Sequence, residues 1–88
     1  MQIKFSKPLA KIVKGDVIVI DGKKYHVDAH LILIDHGSTK EMAIELYDDE
    51  DIDYQLRYFA DQAEETLGFY ELVKGIMYQS RPFEKISW

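Results

Sequence analysis

The sequence predicts a small, mostly β fold: a curved, largely antiparallel sheet that closes towards a partly open barrel and carries one short helix. Two features of residues 15–46 lead to this prediction. Asp21 and Gly22 lie between two runs of β-branched and aromatic residues, which is among the strongest short-range signals for a β-hairpin. From Lys23 onwards, apolar and polar residues alternate with a period of two, as they do in a half-buried strand.

Composition places the chain among globular proteins. Its 88 residues, of which 47% are hydrophobic, suffice for one small domain over residues 1–88. The chain has no cysteine, which excludes disulfides and thiolate zinc sites and fits a cytoplasmic location. No apolar run is long enough to cross a bilayer, and the N-terminus lacks the apolar core of a secretory signal, so we expect no membrane partner.

Charge is divided unevenly along the chain. The net charge of −5 combines +4 in residues 1–27, where six lysines outnumber two aspartates, with −9 in residues 28–88, where fourteen carboxylates outnumber five cations. Carboxylates repel nucleic-acid phosphates, so the bulk charge argues against non-specific nucleic-acid binding. A local basic strip in the first 27 residues is still compatible with it.

The N-terminal half reads as four strands separated by short breaks. Residues 2–5 form a short first strand that Pro8 ends, since proline lacks an N–H and holds the preceding residue extended. Residues 9–14 fit either a helical turn or an extended approach to Gly15. Val17–Ile20 consists of four β-branched residues, which suits a strand that is covered on both faces.

The longest predicted strand is Lys23–Asp35, which pairs antiparallel with Lys40–Tyr47 through a turn at residues 35–39. A strand of this length is long for a small domain, so we expect a bend or bulge near Ala29. Gly37 can adopt the positive φ that the turn needs. The apolar row of these two strands is expected to be mostly buried, and its members are Tyr25, Val27, Leu31, Leu33, Met42, Ile44 and Leu46.

The second half begins with an acidic turn at residues 48–53. Alternation predicts a further strand over residues 54–58. Residues 60–66 are good helix formers and predict a short helix, in which Asp61 can cap the first turn. One helix running on to Lys74 is also compatible with the pattern.

The C-terminal part is expected to form a hairpin. Residues 69–73 and 76–79 are its two strands, and Lys74-Gly75 is its turn. Pro82 ends the hairpin because it cannot donate to a ladder. Residues 83–88 are expected to add an edge strand.

Residues 15–27 resemble the opening hairpin of small SH3-like barrels. They read Gly-Asp, four β-branched residues, Asp-Gly-Lys and then Lys-Tyr-His-Val. This pattern is similar to the first domain of elongation factor P and to a family of uncharacterised prokaryotic barrels with Gly-Asp followed by Asp-Gly-Lys-x-Tyr-x-Val. The resemblance implies an SH3-like, partly open barrel. It implies no functional residue, because the translation factors carry a modified Lys or Arg in a glycine-rich turn, and residues 35–40 have one glycine and no basic residue at the tip.

Aromatic residues are concentrated in the second half of the chain, and any surplus over the needs of the core would mark a protein-binding patch. Tyr and Trp are enriched at the centres of protein interfaces. The candidate binding residues of this kind are Tyr54, Tyr58 and Trp88. They lead to our first prediction of function, a non-enzymatic binding module that acts through protein contacts. A homo-oligomer formed through an edge strand is one form that such contacts can take.

The alternative function is a nucleic-acid- or ribosome-associated barrel that uses the N-terminal lysines. Lys11, Lys14, Lys23 and Lys24 are the candidate residues. Together with Lys4 and Lys7 they form one strip if the N-terminal segment lies along the first hairpin, and Phe5 is then close enough to stack on a base.

A third interpretation is a metal-dependent enzyme built on His26, Asp28 and His30. Alternate residues of a strand share a face and lie about 6.6 Å apart, so neighbouring side chains can reach one ion. His26 and His30 are about 13 Å apart on a straight strand, so all three cannot converge. No nucleophile elbow, phosphate-binding glycine loop or other catalytic motif is present. We therefore predict no enzymatic activity, no metal site and no cofactor.

Overall fold

A computed structural model describes all residues, Met1–Trp88, and confirms the mostly β class. Strands cover 56% of the chain. They are β1 (Gln2–Lys4), β2 (Val17–Ile20), β3 (Lys23–Asp35), β4 (Lys40–Tyr47), β5 (Asp53–Phe59), β6 (Gly68–Val73), β7 (Met77–Arg81) and β8 (Lys85–Ser87).

All eight strands belong to one sheet, in the order β1-β8-β2-β3-β4-β5-β6-β7. The sheet is not closed into a barrel, so the SH3-like barrel implied by the resemblance is not confirmed. The strand β8 lies between β1 and β2, which leaves β1 and β7 at opposite edges with no pairing between them.

The predicted strand near the C-terminus exists, but its predicted edge position is wrong. β8 pairs parallel with β1 and antiparallel with β2, and Ile86 lies opposite both Ile3 and Ile20. Ile86 is buried, so the strand gains more inside the sheet than at its edge. One Asp21 side-chain oxygen also accepts hydrogen bonds from two backbone N–H groups at the start of β8, those of Glu84 and Lys85.

The hairpin of β2 and β3 forms as predicted. Asp21 and Gly22 have φ angles of 50° and 82°, positive at both central positions of a two-residue turn. This geometry matches the twist of the flanking strands. Ile18 and Ile20 are buried whereas Val17 is exposed, so the expectation that both faces of β2 are covered is wrong. The sheet packs on the core with one face here, as antiparallel sheets commonly do.

The strand β3 has the predicted bounds and two irregularities. Its register with β4 shifts just before Ala29, where a bulge was expected, and again just before Ile34. A bulge inserts one unpaired residue, so the alternation of faces reverses beyond it. For this reason His30 lies opposite the fully buried Ile44 and shares its face of the sheet, whereas Leu31 lies on the other face.

The burial predicted for the β3–β4 hairpin is therefore confirmed in part. Leu31 is exposed because the first bulge turns it out of the row that Tyr25 and Val27 begin, and Leu33 is exposed at the second irregularity, where it has no partner in β4. Met42 is partly buried against the core. The other predicted residues are buried, and they are Tyr25, Val27, Ile44 and Leu46.

The predicted helix over residues 60–66 is wrong, and so is its longer alternative. These residues form a series of turns, with one backbone hydrogen bond of α-helical spacing, from Thr66 N to Gln62 O. The Thr66 hydroxyl accepts from the Phe59 N–H, and Asp61 accepts from the hydroxyl of Thr39 in the turn between β3 and β4, so side-chain hydrogen bonds take the place of a helical ladder.

The one helical element is a 3₁₀ turn at Leu9–Lys11, which decides the question left open for residues 9–14. Leu9 and Ile12 are buried, so this turn covers one end of the sheet with two apolar side chains. No helix of the chain has the length and apolar character that a bilayer crossing requires.

The hairpin of β6 and β7 forms at Lys74 and Gly75 as predicted, but the turn also includes Ile76, which was expected to begin the second strand. Lys74 and Gly75 have φ angles of 57° and 66°, and the Ile76 N–H donates to the Val73 carbonyl. The core beneath the sheet is one cluster of fourteen buried residues from β2, β3, β4, β5, β6, β8 and the loops. At its centre the rings of Tyr25, Tyr54 and Phe69 pack against one another.

Candidate functional site

The acidic turn before β5 is built around one buried carboxylate. The Asp48 side chain has no solvent exposure and accepts hydrogen bonds from the backbone N–H groups of Glu50 and Ile52. It also accepts from the Lys23 ammonium at 2.9 Å and from the Tyr54 hydroxyl at 3.0 Å. Burial opposes ionisation of Asp48, but these hydrogen bonds outweigh it and lower its pKa to about 2. The Asp48 carboxylate accepts all four of these hydrogen bonds from within the protein. It therefore stabilises the turn and is not a binding site.

The aromatic candidates do not form a surface patch. Tyr54 is 4% exposed and Tyr58 is 2% exposed, so both belong to the core. Burial, and for Tyr54 also its bond to Asp48, raises the pKa of each hydroxyl to about 12. Trp88 is partly buried, stacks on Phe5 at 5.6 Å and donates from Nε1 to the Lys7 carbonyl. The alternation of β5 marked Tyr54 and Tyr58 as sharing a face, and that face is the core.

The structure divides the predicted lysine strip. Lys23 is committed to Asp48, and Lys7 is committed to Asp16. Lys11 and Lys14 lie between β1 and β2, exposed and without an ion pair, while Lys24 lies on β3. The candidate residues therefore do not act as one group.

A different set of lysines comes together on the outer face of β1, β8 and β2. Lys4 and Lys85 line a shallow pocket of about 210 Å³, together with Gln2 and Ser87. The sequence indicated Lys4 but not Lys85, because the two are far apart in the chain and only the parallel pairing of β1 with β8 makes them neighbours. No local pattern in the sequence signals such a long-range pairing.

The histidines of the proposed metal motif are held apart. His26 Nε2 lies 3.3 Å from an Asp49 carboxylate oxygen. His30 Nδ1 lies 2.7 Å from the Ile12 carbonyl, which can only accept, so this nitrogen carries a proton, and His30 Nε2 lies 2.5 Å from the Tyr58 hydroxyl. The bulge between the two histidines turns them in different directions, and no group of three His, Asp or Glu side chains in the chain could hold a metal ion.

The far half of β3 carries a run of exposed apolar side chains. Four consecutive aliphatic side chains there are each between 36% and 50% exposed, and they are Leu31, Ile32, Leu33 and Ile34. We call these residues the aliphatic edge. The strand β2 reaches only as far as His26, and the preceding loop pairs only with Val27, so the aliphatic edge has backbone partners in β4 alone. It is an unpaired strand edge that carries apolar side chains, the combination that natural proteins usually avoid.

No protein-family model, curated protein or solved structure matches this chain. The resemblance of residues 15–27 to SH3-like barrels and to elongation factor P therefore stays a prediction.

Proposed function

We propose that this protein is a non-enzymatic binding module that acts through protein contacts, and that the contact is made by the aliphatic edge. The observation that supports this proposal is the run of four exposed aliphatic residues on an unpaired strand edge. Such an edge offers backbone N–H and C=O groups to an added strand and apolar side chains to bury beside it. The exposed aliphatic side chains project to both faces of the sheet, so an added strand can bury apolar groups on either side of the new pairing.

The other free edges of the sheet support this choice by contrast. β1 has only three residues, of which Gln2 and Lys4 are polar. β7 begins with Met77 and Tyr78, but its other three residues are Gln79, Ser80 and Arg81, and Arg81 is paired with a carboxylate of the neighbouring strand. Polar and charged edges discourage strand addition, whereas the aliphatic edge has no charge along its length.

We propose that the occupant is the aliphatic edge of a second copy, paired antiparallel about a two-fold axis. A two-fold contact uses the same patch on both copies, so the edge has to be compatible with itself. In the register that places Ile32 opposite Leu33 of the second copy, the four aliphatic residues face one another. Asp35 then faces His30, and no two carboxylates of the two copies are opposed.

The bulge before Ile34 limits the regular part of this edge, so the contact is short and the dimer is expected to be weak.

We also propose that this open sheet is related to the SH3-like barrels, and the β2–β3 hairpin with its Asp-Gly turn supports this relationship. The cysteine-free composition supports the cytoplasm as its location.

The proposal is tested by sedimentation velocity over a range of protein concentrations. We expect the mass to rise from the 10.3 kDa of one chain towards twice that value as the concentration increases. The variant that combines Ile32→Lys with Ile34→Lys should stay monomeric, because each ammonium group then lies opposite a leucine of the second copy, and four cations crowd one short contact. The matched control combines Ile76→Lys with Met77→Lys at the β6–β7 turn, where the side chains are even more exposed, and it should still dimerise.

Two results would contradict the proposal. A wild-type chain that stays monomeric to the solubility limit would show that a second copy is not the occupant. Dimerisation lost in the Ile76 and Met77 control, but kept in the Ile32 and Ile34 variant, would move the contact to the edge at β7. Folding of each variant is checked by its amide NMR spectrum before the comparison is made.

A further inference from the structure

The outer face of β1, β8 and β2 forms a shallow pocket with a basic rim. Strand pairing places Lys4 opposite Ser87, Ser87 opposite Val19, and Val19 opposite Lys24. Lys4 and Lys24 therefore stand at the two ends of one row that spans three strand spacings, about 14 Å. Lys85 lies two residues before Ser87 and so projects from the same face.

The pocket presents several hydrogen-bond donors that have no partner in the protein. Neither Lys4 nor Lys85 belongs to any of the four ion pairs of the chain. The Gln2 amide and the Ser87 hydroxyl make no side-chain hydrogen bond, and the Gly22 N–H at the rim has no acceptor. These donors belong to two strands, β1 and β8, and to the turn between β2 and β3, and all of them line a space of about 210 Å³.

One carboxylate, that of Asp21, lies among the lining residues. One of its oxygens accepts hydrogen bonds from the backbone N–H groups of Glu84 and Lys85, so part of its charge is already satisfied. The two lysines of the lining outnumber it, and Lys24 adds a third cation at the end of the row. The pocket is thus locally cationic on a chain whose net charge is −5.

We propose that this pocket binds a phosphate group. Lysine ammonium groups act as point charges for phosphate, and hydroxyl, amide and backbone N–H donors complete the coordination of its oxygens. Donors on several sides of one pocket can each bond a different oxygen of a tetrahedral anion such as phosphate. The pocket shares no residue with the aliphatic edge, so this inference stands independently of the proposed function.

Two sources can supply such a group, a small phosphate compound or the backbone of a nucleic acid. The test is an NMR titration of the intact, isotopically labelled protein at constant ionic strength, first with sodium pyrophosphate and then with a short single-stranded oligonucleotide. Sodium chloride balances the ions, so that general screening is the same at every point. We expect saturable shifts of the amides of Gly22, Lys85 and Ser87.

Substitutions then distinguish binding in this pocket from a general attraction of the anion to surface lysines. Lys4→Gln and Lys85→Gln should each weaken binding by about two- to fivefold, since single exposed ion pairs contribute little. The matched controls are Lys11→Gln and Lys14→Gln, which remove exposed, unpaired lysines outside the pocket and should leave the affinity unchanged. If only the oligonucleotide saturates these amides, the phosphate belongs to a nucleic acid, and if pyrophosphate saturates them equally well, a small phosphate compound suffices.

The proposal is overturned if neither probe produces a saturable shift at these amides at millimolar concentration. It is also overturned if the combined Lys4→Gln and Lys85→Gln variant, folded as judged by its spectrum, binds as tightly as the wild type. Equal losses in the Lys11 and Lys14 controls would show diffuse attraction to lysines and would likewise contradict a site in this pocket.

Discussion

The ammonium group of Lys23 lies 2.9 Å from the carboxylate of Asp48, a side chain with no exposure to solvent. The lysine stands at the start of β3 and the aspartate in the turn before β5, so the pair ties the first hairpin to the middle of the sheet. The ammonium also lies within 6 Å of the ring centres of Tyr25 and Tyr54. Lys23, a candidate nucleic-acid contact in the sequence analysis, therefore stabilises the fold through Asp48.

Removing the buried carboxylate should destabilise the protein strongly. Asp48→Ala leaves the Tyr54 hydroxyl and two backbone N–H groups without an acceptor, and we expect it to cost about 3 kcal/mol of unfolding free energy. Lys23→Gln should cost less, about 1 kcal/mol, because the lysine side chain is half exposed and water screens its charge. Urea denaturation measures both values. Lys24→Gln is the control, within about 0.5 kcal/mol of wild type, and an Asp48→Ala variant as stable as this control would contradict the role of the carboxylate.

The same carboxylate should make stability depend on pH in the acid range. The folded-state pKa of Asp48 is lowered to about 2, so the folded protein binds fewer protons than the unfolded chain, whose aspartates titrate near the usual value of about 4. The stabilisation is therefore fully present above about pH 4 and is lost as the pH falls towards about 2, with an expected total of up to about 2 kcal/mol. Urea midpoints measured across this range should fall more steeply for the wild type than for Asp48→Asn. Parallel pH profiles would contradict the assignment.

Two aliphatic residues of the β3–β4 hairpin should respond differently to truncation. Ile44 has no exposure and should lose about 2–5 kcal/mol of unfolding free energy on replacement by alanine. Leu31, predicted from alternation to be equally buried, is 36% exposed, and Leu31→Ala should cost only about 1 kcal/mol. The two variants are compared by chemical denaturation at a concentration where the wild type is monomeric. Equal losses would mean that the register beyond the bulge differs from the one described here.

Zinc should leave thermal stability unchanged. An ion that binds the folded state raises the melting temperature, but His26 contacts Asp49 while His30 is held between Ile12 and Tyr58. The two rings therefore do not converge on a common ligand position. Melting curves with and without a modest excess of zinc provide the measurement. A rise that disappears in both His26→Ala and His30→Ala would restore the metal interpretation.

Much of the strand pattern could be predicted because its causes are local. The positive φ angles of Asp21 and Gly22, and of Lys74 and Gly75, place both hairpin turns where the sequence indicated them. β-branched runs and alternation located the strands between these turns to within a residue or two. The turns at residues 60–66 were not predicted from the sequence. Their residues have good helix propensity, but the side-chain hydrogen bonds of Thr66 and Asp61 stabilise turns instead of a helix.

The candidate surfaces were harder to predict than the strands. A bulge just before Ala29 reverses the faces of β3, and so it exposes Leu31 and brings His30 inwards, while Leu33 is left unpaired at the second irregularity. One inserted residue has this effect because the side-chain period of a strand is two, and nothing in the alternation itself marks the position of the insertion to a single residue.

The sequence by itself determined the mostly β class, both tight hairpin turns and the unequal distribution of charge, since each follows from residues close together in the chain. Only the tertiary structure decided which side chains meet across long separations. It placed β8 between β1 and β2, which brings Lys85 beside Lys4, and it joined Lys23 to Asp48. These contacts depend on how the whole sheet orders its strands to bury one shared core, and that order is a global property which no local pattern of residues specifies.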